Sequence, residues 1–274
     1  MNQIISKIYP KSKKSLYSVD NLYLKPMLSK INRSYKPYYY ANFLSSFDGR
    51  IATYDKKSSK LLTPDRIKSK VDFSLFCQLH AQSDCLVTNT EYLSGLSKGY
   101  YGDILSVKNP KLIQWRDKNK LKKQEIIILS NSLNFPISKN IELLKKRITI
   151  LTTSKNEKKI RKFEKKGFKV IYCRGKNVSA IKLNEYIIKN KFKSIYFIAG
   201  PRIVEQMISK DLLDKLYCST NMCIMGSDKY DQIIRGDFIK ESRNLELKEL
   251  YMYTDKAKKI SQQTLFQVFN LRKK

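Results

Sequence analysis

The sequence predicts an α/β domain in which a mainly parallel sheet, flanked by helices, ends in antiparallel strands. Short β-branched or apolar runs, such as residues 126–129 and 148–151, alternate with amphipathic segments through the first three quarters of the chain. This alternation is typical of parallel strands that are covered on both faces. Residues 215–224, 245–253 and 262–271 instead alternate with a period of two, without a helix long enough for a parallel crossover. We therefore expect these last segments to pair antiparallel.

The first predicted strands lie after a basic segment. Residues 1–36 show no clear periodicity, and we interpret them as a basic N-terminal extension of one domain that covers residues 37–274. Residues 38–44 and 50–54 have the alternation of strands, and a Ser-Ser-Phe-Asp-Gly-Arg corner joins them. An Asp-Gly pair between two such runs is a turn signal.

A helix is predicted to begin at Thr63, which is followed by proline and aspartate. Threonine is a good N-cap, proline is favoured at the first helical position, and an acidic side chain suits the first turn. Apolar residues then recur every four positions and predict one buried face: Ile67, Val71, Leu75 and Leu79. A short buried strand is expected next, at residues 85–87.

The middle of the chain holds its least regular part. Residues 91–123 are predicted to be a long loop, and long loops inside compact domains are often functional. Ser154 and Glu157 stand in the spacing of a capping box, which predicts a helix start. Another helix is predicted over residues 179–190, and a strand at 195–198 then runs into the last helix.

The formal net charge is +31, from 55 basic and 24 acidic residues among 274. Such a charge favours anionic partners. Only 11 of the basic residues are arginines, however, which leaves 44 lysines spread over the whole length. Nucleic-acid readers rely on arginine for bidentate contacts. We therefore expect a solvated surface and a phosphorylated small molecule as partner, rather than nucleic acid.

Cysteine and histidine content excludes several kinds of site. The five cysteines are scattered and include no Cys-x-x-Cys pair. This pattern argues against a disulfide framework and against a zinc site, and it favours a protein of a reducing compartment. With His80 as the sole histidine, a two-imidazole metal site is excluded, and no metal is expected. The sequence also contains no apolar run of membrane-spanning length and no secretory signal, so we expect a cytoplasmic protein without membrane contact.

Three places could carry chemistry. At Gly200 a strand ends and a helix begins whose unpaired first-turn N–H groups could bind a phosphate, although a plain tight turn is the alternative. The corner at Asp48 is either a hairpin turn in which the carboxylate bonds the backbone, or the lip of a pocket. His80 is either a partly exposed residue at a helix end or a contact to an anionic substrate.

Five collinear segments carry a family resemblance. They are NFLSSFDGRIA (42–52), LLTPDR (61–66), LHAQSDCLVT (79–88), NPKLIQWR (109–116) and the stretch from IYFIAGPR to IMGSD (195–228). Together they resemble the riboflavin-biosynthesis pyrimidine reductase family, the RibD C-terminal domain, over residues 37 to about 270. The corner matches the family motif S-x-D-G-[KR]-[IT]-A, and the fourth segment resembles the family's D-P-x-L-x-x-R loop. This family has the dihydrofolate-reductase fold.

The resemblance implies an NADPH-dependent reductase. Its substrate would be 5-amino-6-(5-phosphoribosylamino)uracil or a related ribosylated heterocycle, whose ribose is reduced by hydride transfer, and the protein would form a homodimer. The implied catalytic residues are Ser46 and Asp48. The implied cofactor-binding residues are Leu44, Ser130, Asn131, Thr152, Gly200, Pro201, Arg202 and Ile203. The implied substrate-binding residues are Asn42, Ser58, His80, Leu112 and Arg116.

The chain departs from the family pattern mainly in the substrate half. Asn42 replaces a lysine, Lys60 a tryptophan, His80 an arginine and Ile198 a glutamate, and the acid of the D-P loop is also lost. Losing a buried glutamate that bonds a base amide should cost on the order of 10²-fold if nothing replaces it. The resemblance therefore leaves the exact substrate open.

Three functional hypotheses follow. The leading one is the NADPH-dependent reductase. A second is a catalytically altered family member that acts as a basic nucleic-acid- or nucleotide-binding protein. A third is a reductase of another small substrate, such as a pterin.

Overall fold

The computed structural model describes residues 3–24, 28, 36–198, 200–236, 239, 242–255 and 262–271. The helices in chain order are α1 (Lys70–Ala81), α2 (Thr90–Ser97), α3 (Pro110–Lys118), α4 (Lys139–Leu143), α5 (Glu157–Lys165), α6 (Ala180–Lys189) and α7 (Pro201–Ser209). The first seven strands are β1 (Ile4–Tyr9), β2 (Leu16–Ser18), β3 (Tyr38–Ser46), β4 (Arg50–Asp55), β5 (Lys60–Leu62), β6 (Cys85–Asn89) and β7 (Glu125–Ser130). The others are β8 (Ile148–Thr152), β9 (Lys169–Tyr172), β10 (Ser194–Phe197), β11 (Lys215–Asn221), β12 (Tyr230–Gln232), β13 (Leu245–Asp255) and β14 (Gln262–Leu271).

Eleven strands form one sheet in the order β2-β1-β13-β14-β11-β3-β10-β6-β7-β8-β9, and β12-β4-β5 form a small second sheet. The strands from β11 to β9 in this order are parallel, whereas β14, β13, β1 and β2 are added antiparallel. The predicted α/β class, a mainly parallel sheet with antiparallel C-terminal strands, is therefore confirmed.

Helices cover both faces of the parallel strands and bury two apolar cores. One face packs against α1 and α5 through Leu75, Leu79 and Phe163. The other packs against α6 and α7, which contribute Leu183 and Met207. Parallel strands buried on both faces explain why β7 and β8 read as unbroken apolar runs.

The predicted start of the first helix is wrong by several residues. Ser69, not Thr63, caps α1, and its side chain accepts from the main-chain N–H of Asp72. The spacing of the buried face was nevertheless correct, since Val71, Leu75 and Leu79 are each 1 % exposed. The proline and aspartate after Thr63 form a turn, in which the Ile67 N–H donates to the Pro64 carbonyl at 3.2 Å.

Two further expectations need correction. Residues 91–123 are not one long loop, because α2 and α3 occupy much of the segment. The cap of α5 is Asn156, two residues after the predicted Ser154. Within the segment interpreted as an N-terminal extension, β1 and β2 join the main sheet, where β1 pairs with β13.

The parallel strands give the sheet two distinct edges. At the carboxyl edge lie the ends of β3, β6, β7 and β10, where α/β sheets generally hold their ligands. The amino edge is formed by the segments that lead into β6, β7, β8, β9 and β10. Within the described residues, no helix has the length and apolar character that crossing a bilayer requires.

Candidate active site

A cleft of about 370 Å³ opens at the carboxyl edge, and we call it the main cleft. Its walls come from the ends of β3 and β10, from β4 and β5, and from α1 and α2. Most of its lining is apolar or aromatic, and its polar side chains include Asn42, Thr63, Asn89, Glu91 and Asp231. A mostly apolar cleft with a few polar groups is the usual form of a small-molecule site.

A second cavity, of about 480 Å³, continues from the main cleft along the start of α7, and we call it the helix groove. The two share Asn89, Glu91, Gly200, Pro201 and Asp231. The helix groove also contains Asn131, Arg202 and Ile203 from the predicted cofactor-binding set. The main cleft and the helix groove together form a two-part site, and the two parts meet at Gly200.

Among the described residues, no N-cap side chain accepts from the first-turn N–H groups of α7. Its N-cap is Gly200, which has no side chain to accept from them. By contrast, every other described helix of eight or more residues has an N-cap side chain that accepts a main-chain hydrogen bond: Ser69, Asn89, Asn109, Asn156 and Ser179. Free first-turn amides at the positive end of a helix dipole bind phosphate well.

Polar and charged side chains surround the helix groove. The Asn131 side chain donates to Asn177 Oδ1 at 2.7 Å, and its own Oδ1 accepts from the main-chain N–H of Val178 at 3.2 Å. Arg202 is exposed at the second position of α7. Arg235 also lines the groove and forms an ion pair with Asp231 at 3.6 Å, with a side chain that is 49 % exposed. Two guanidinium groups thus border a groove that begins at free amides, which suits a diphosphate.

Aromatic side chains form one wall of the main cleft. The rings of Tyr92 and Tyr101 stack with centroids 6.0 Å apart. Gly95 makes room for this pair, because a Cβ at that position would lie 2.3 Å from the Tyr101 ring. The Tyr92 hydroxyl donates to the Gly102 carbonyl at 2.9 Å and accepts from the N–H of Ile104 at 3.0 Å. These bonds fix the wall in place.

The Ser46–Asp48 corner lies between residues that line the main cleft, Leu44 and Ile51, and its own side chains are not part of that lining. The Ser46 hydroxyl donates to Asp48 Oδ1 at 2.5 Å and accepts from the N–H of Arg50 at 3.1 Å. Asp48 also accepts from the N–H groups of Met225 and Gly226. These hydrogen bonds, that from Ser46 foremost, lower the pKa of Asp48 from 3.8 to about 2. The corner therefore fastens β3 and β4 to the 225–226 loop, and its carboxylate stays ionised.

Three other predicted site residues lie outside both cavities. The Ser130 hydroxyl accepts from the N–H of Leu133 at 3.0 Å, and Thr152 is fully buried with its hydroxyl accepting from Ser154. Ser58 lies in the turn between β4 and β5, where its N–H donates to an Asp55 oxygen at 2.8 Å. The side chains of Ser130 and Thr152 and the main chain of Ser58 each make a hydrogen bond that holds a turn. Leu44 and Asn42, by contrast, line the main cleft.

His80 and Leu112 line a neighbouring cavity of about 290 Å³, which we call the His80 cavity. Phe76 and Ile104 line both this cavity and the main cleft. His80 is 2 % exposed, so the interpretation as a partly exposed residue is wrong. Burial lowers the pKa of His80 to about 3, and the ring is neutral near pH 7. Its Nε2 is buried without a hydrogen-bond partner among the described residues.

Arg116, predicted to bind the substrate, lines none of these three cavities. Its guanidinium donates to the carbonyl oxygens of Ala81 at 2.6 Å, Ser83 at 2.9 Å and Lys122. The motif D-P-x-L-x-x-R places its arginine three residues after the leucine, and that position holds Trp115 here. One residue turns a helical side chain by about 100°, which is enough to move it from a site to the core.

The structure also adds residues that the sequence did not single out. Glu91 and Asp231 line both parts of the site, and Tyr92, Tyr101 and Arg235 form its walls. Asn89 gave a local signal, since an Asn-Thr-Glu stretch after a buried strand predicts a capped helix start. Asp231 and Arg235 gave none, because they reach the site from the short strand β12 and the segment after it, far along the chain.

Comparison with known proteins agrees with this geometry. A family model described as the RibD C-terminal domain matches residues 37–259. No curated protein matches the chain in sequence.

Several solved structures have a similar fold. A pyrimidine reductase-like protein from Corynebacterium diphtheriae superposes with a TM-score of 0.71 at 17% identity, covering 93% of this chain and 99% of that one. The riboflavin biosynthesis reductase Rib7 of Saccharomyces cerevisiae gives 0.55 at 15% identity, with 92% and 99% covered. RibD from Acinetobacter baumannii gives 0.62 at 13% identity over 87% of this chain, but only 59% of its own longer chain. These likenesses show the fold, and the predicted dihydrofolate-reductase-like class is confirmed.

Proposed function

The chain belongs to the RibD C-terminal domain family, and from this premise we propose that it is an NADPH-dependent reductase of the riboflavin pathway. Its substrate class is a phosphorylated, ribosylated heterocycle, with 5-amino-6-(5-phosphoribosylamino)uracil as the first candidate. The observation that carries the proposal is the two-part site at the carboxyl edge, which meets at the uncapped start of α7. A dinucleotide needs this combination of a phosphate site and an adjoining cleft.

The residues present fit NADPH. The free amides of Arg202 and Ile203 would hold the diphosphate, with Arg202 and Arg235 beside it. Asn131 lies further along the helix groove and would meet the adenosine end. The nicotinamide would enter the main cleft past Gly200, where it supplies a hydride.

The chain's own contribution is orientation and exclusion of water. Phe43, Phe197 and the stacked Tyr92 and Tyr101 make the walls of the main cleft apolar. Asn42 is held in place because its Oδ1 accepts from the Tyr196 hydroxyl, and it can donate through its amide into the cleft. A preorganised, water-poor cleft strengthens polar contacts to the reacting atoms.

At the substrate end of the site, the chain differs from the family motif. Ile198 lines the main cleft where the family motif has a glutamate, and Glu91 lies in the same cleft. We therefore assign Glu91 as the carboxylate that replaces the missing base contact. Lys70 and Lys108 border the His80 cavity next door and can meet the substrate phosphate in place of an arginine. The neutral His80 cannot contribute charge there.

The test is a reductase assay with purified protein. We expect NADPH to be oxidised only when the aminopyrimidine ribose phosphate is present, with the ribityl product confirmed by mass spectrometry. The same protein with dihydropterin substrates serves as the control for the alternative small substrate. Turnover of the pterin alone would reassign the substrate, and absence of NADPH binding at millimolar concentration would refute the reductase proposal.

All five cysteines are free in the structure. Free thiols suit the reducing cytoplasm, which we propose as the location of this enzyme.

We also propose that the chain forms a homodimer through the outer face of its antiparallel strands. The paired positions on that face carry Ile4 and Ser6 of β1, Met252 of β13 and Leu265 of β14. Ile4 is 50 % exposed, and charged side chains are missing from these positions although 29% of the chain is charged. Strand spacings give this face an extent of about 20 Å by 25 Å, or on the order of 500 Å² a side. Two copies would then bury about 1,000 Å², near the lower limit of specific interfaces.

Replacing both Met252 and Leu265 by lysine should dissociate this dimer. The symmetric contact would then bury unpaired positive charges, which is strongly unfavourable. Analytical ultracentrifugation at 10 μM should give a dimer for the wild type and a monomer for the double variant. Leu143→Lys together with Ile181→Lys is the matched control, because both residues are exposed elsewhere, and it should remain dimeric. A monomeric wild type at 100 μM would refute the interface.

A further inference from the structure

A groove of about 970 Å³ lies at the amino edge of the sheet, and eight lysines line it, so we call it the lysine groove. They are Lys120, Lys122, Lys123, Lys145, Lys146, Lys169, Lys191 and Lys193. These eight are among 18 lining residues, whereas lysine makes up 44 of 274 residues in the whole chain. The groove is therefore nearly three times richer in lysine than the sequence average.

The parallel topology brings these lysines together from four separate segments. One segment leads from α3 into β7, the second into β8, the third into β9 and the fourth from α6 into β10. Because parallel strands all start at the same edge, every such entry loop lies beside the others. Lysines that look evenly scattered along the sequence are thus concentrated in space.

Few negatively charged side chains lie beside the eight lysines of the groove. None of the eight takes part in an ion pair with another described residue. Two acidic residues line the groove, Asp84 and Glu125. Asp84 Oδ2 already accepts from the main-chain N–H groups of Lys193 at 3.0 Å and Ser194 at 3.3 Å. Burial raises the pKa of Glu125, while the charges of Arg147 and Lys169 act in the opposite direction.

The arrangement suits a chain of phosphates better than one compact phosphate group. A compact phosphate is usually held by a fixed cradle of main-chain N–H groups at a helix start, as at α7. The lysine groove instead offers point charges on flexible stems, spread over four loops. Its floor contains two half-buried rings, Tyr186 and Phe192, with centroids 6.5 Å apart. A charged groove with aromatic side chains in its floor is how proteins track single strands without reading sequence.

We propose that the lysine groove is a binding site for single-stranded nucleic acid, recognised through its phosphate backbone and without sequence preference. The concave shape favours a flexible strand, since a rigid duplex would contact only the rim. The site lies at the opposite edge of the sheet from the main cleft and shares no lining residue with it. The inference is therefore independent of the proposed reductase activity.

The test uses the full chain and a fluorescently labelled 20-nucleotide polyuridine, followed by anisotropy at increasing salt. Neutralising Z phosphates of a single strand gives a slope of about −0.7Z in log affinity against log salt. With most of the eight lysines engaged, we expect a slope of about −5. The variant Lys122→Glu/Lys145→Glu/Lys169→Glu should bind at least tenfold more weakly at 150 mM salt, with a slope shallower by about 2.

A matched variant separates the groove from overall charge. Lys13→Glu/Lys158→Glu/Lys210→Glu changes three exposed lysines outside the groove and lowers the net charge from +31 to +25, as the groove variant does. It should bind within twofold of the wild type. Thermal unfolding of both variants checks that each is folded.

Four outcomes would overturn the proposal. They are equal weakening by both triple variants, equal or tighter binding of a 20-base-pair duplex, no binding of the wild type at 150 mM salt, and full displacement of the oligonucleotide by equimolar pyrophosphate. The first would assign the binding to net charge alone. The last would assign the groove to a compact phosphate ligand.

Discussion

Gly200→Glu is expected to abolish cofactor binding while the fold stays intact. Gly200 has φ −67° and ψ 173°, which any residue can adopt. A Cβ there would lie 3.1 Å from the Asn89 amide nitrogen, so the Asn89 side chain, which caps α2, must move by a few tenths of an ångström. The new carboxylate would lie beside the free first-turn amides of α7 and repel a diphosphate. We expect the dissociation constant of NADPH to rise more than 100-fold, measured by calorimetry, with an unchanged or higher Tm.

Two control variants show whether the charge or the size of the new side chain causes the loss of NADPH binding. Gly200→Ala adds only the Cβ and should weaken NADPH binding less than tenfold. Ser179→Glu places the same charge at the start of α6, outside the lining of both cavities, and should leave the affinity unchanged. Wild-type affinity in Gly200→Glu would show that the diphosphate binds elsewhere, and the proposed cofactor site would then be wrong.

The start of α7 was predictable because its signal is local. A strand, a glycine and a proline within a few residues determine where the helix begins, and the structure has α7 begin at Pro201. The strands were predictable for a similar reason. β7 and β8 consist largely of apolar residues, and this local composition predicts that they are buried. Antiparallel β13 and β14 alternate with a period of two, as a sheet with one buried face requires.

Other features depended on contacts that the sequence does not display. Ser69 and Thr63 both look like helix caps, and only the packing of α1 on the sheet decides between them. The segment 91–123 looked like a loop because its glycines are read as breakers. In the structure Gly95 lies inside α2, where its missing Cβ admits the Tyr101 ring. The contact with Tyr101 thus explains why glycine stands at position 95, whereas a rule that treats glycine as a helix breaker predicts a loop there.

The Ser46–Asp48 corner matches the family motif and is also fixed by contacts within the protein. Asp48 is engaged by Ser46 and by the N–H groups of Met225 and Gly226. Residues on both sides of the corner line the main cleft: Asn42, Phe43 and Leu44 in β3, and Ile51 and Ala52 in β4. The corner thus lies beside the cleft, and the catalytic role of Ser46 and Asp48 stays a prediction.

Arg116→Ala is expected to destabilise the protein without changing substrate recognition. Arg116 is 5 % exposed, and its guanidinium bonds three main-chain carbonyls, at Ala81 and Ser83 after α1 and at Lys122 before β7. Removing it would leave buried acceptors unpaired and a cavity beside them, at a cost of roughly 3 kcal/mol. For a chain of this length the Tm should fall by about 6–12 °C, measured by calorimetry.

A second variant and a kinetic measurement separate this structural role from a phosphate-binding one. Arg161→Ala removes an exposed arginine that pairs with Glu157 at 3.1 Å, and it should lower the Tm by no more than about 1–2 °C. At a temperature where Arg116→Ala is still folded, its KM for the phosphorylated substrate should equal that of the wild type, because the guanidinium faces the junction of α1 and β6. A raised KM with an unchanged Tm would return Arg116 to the substrate site. The carbonyls of Ala81 and Ser83 would then need another donor, and among the described side chains no other is within hydrogen-bond distance of them.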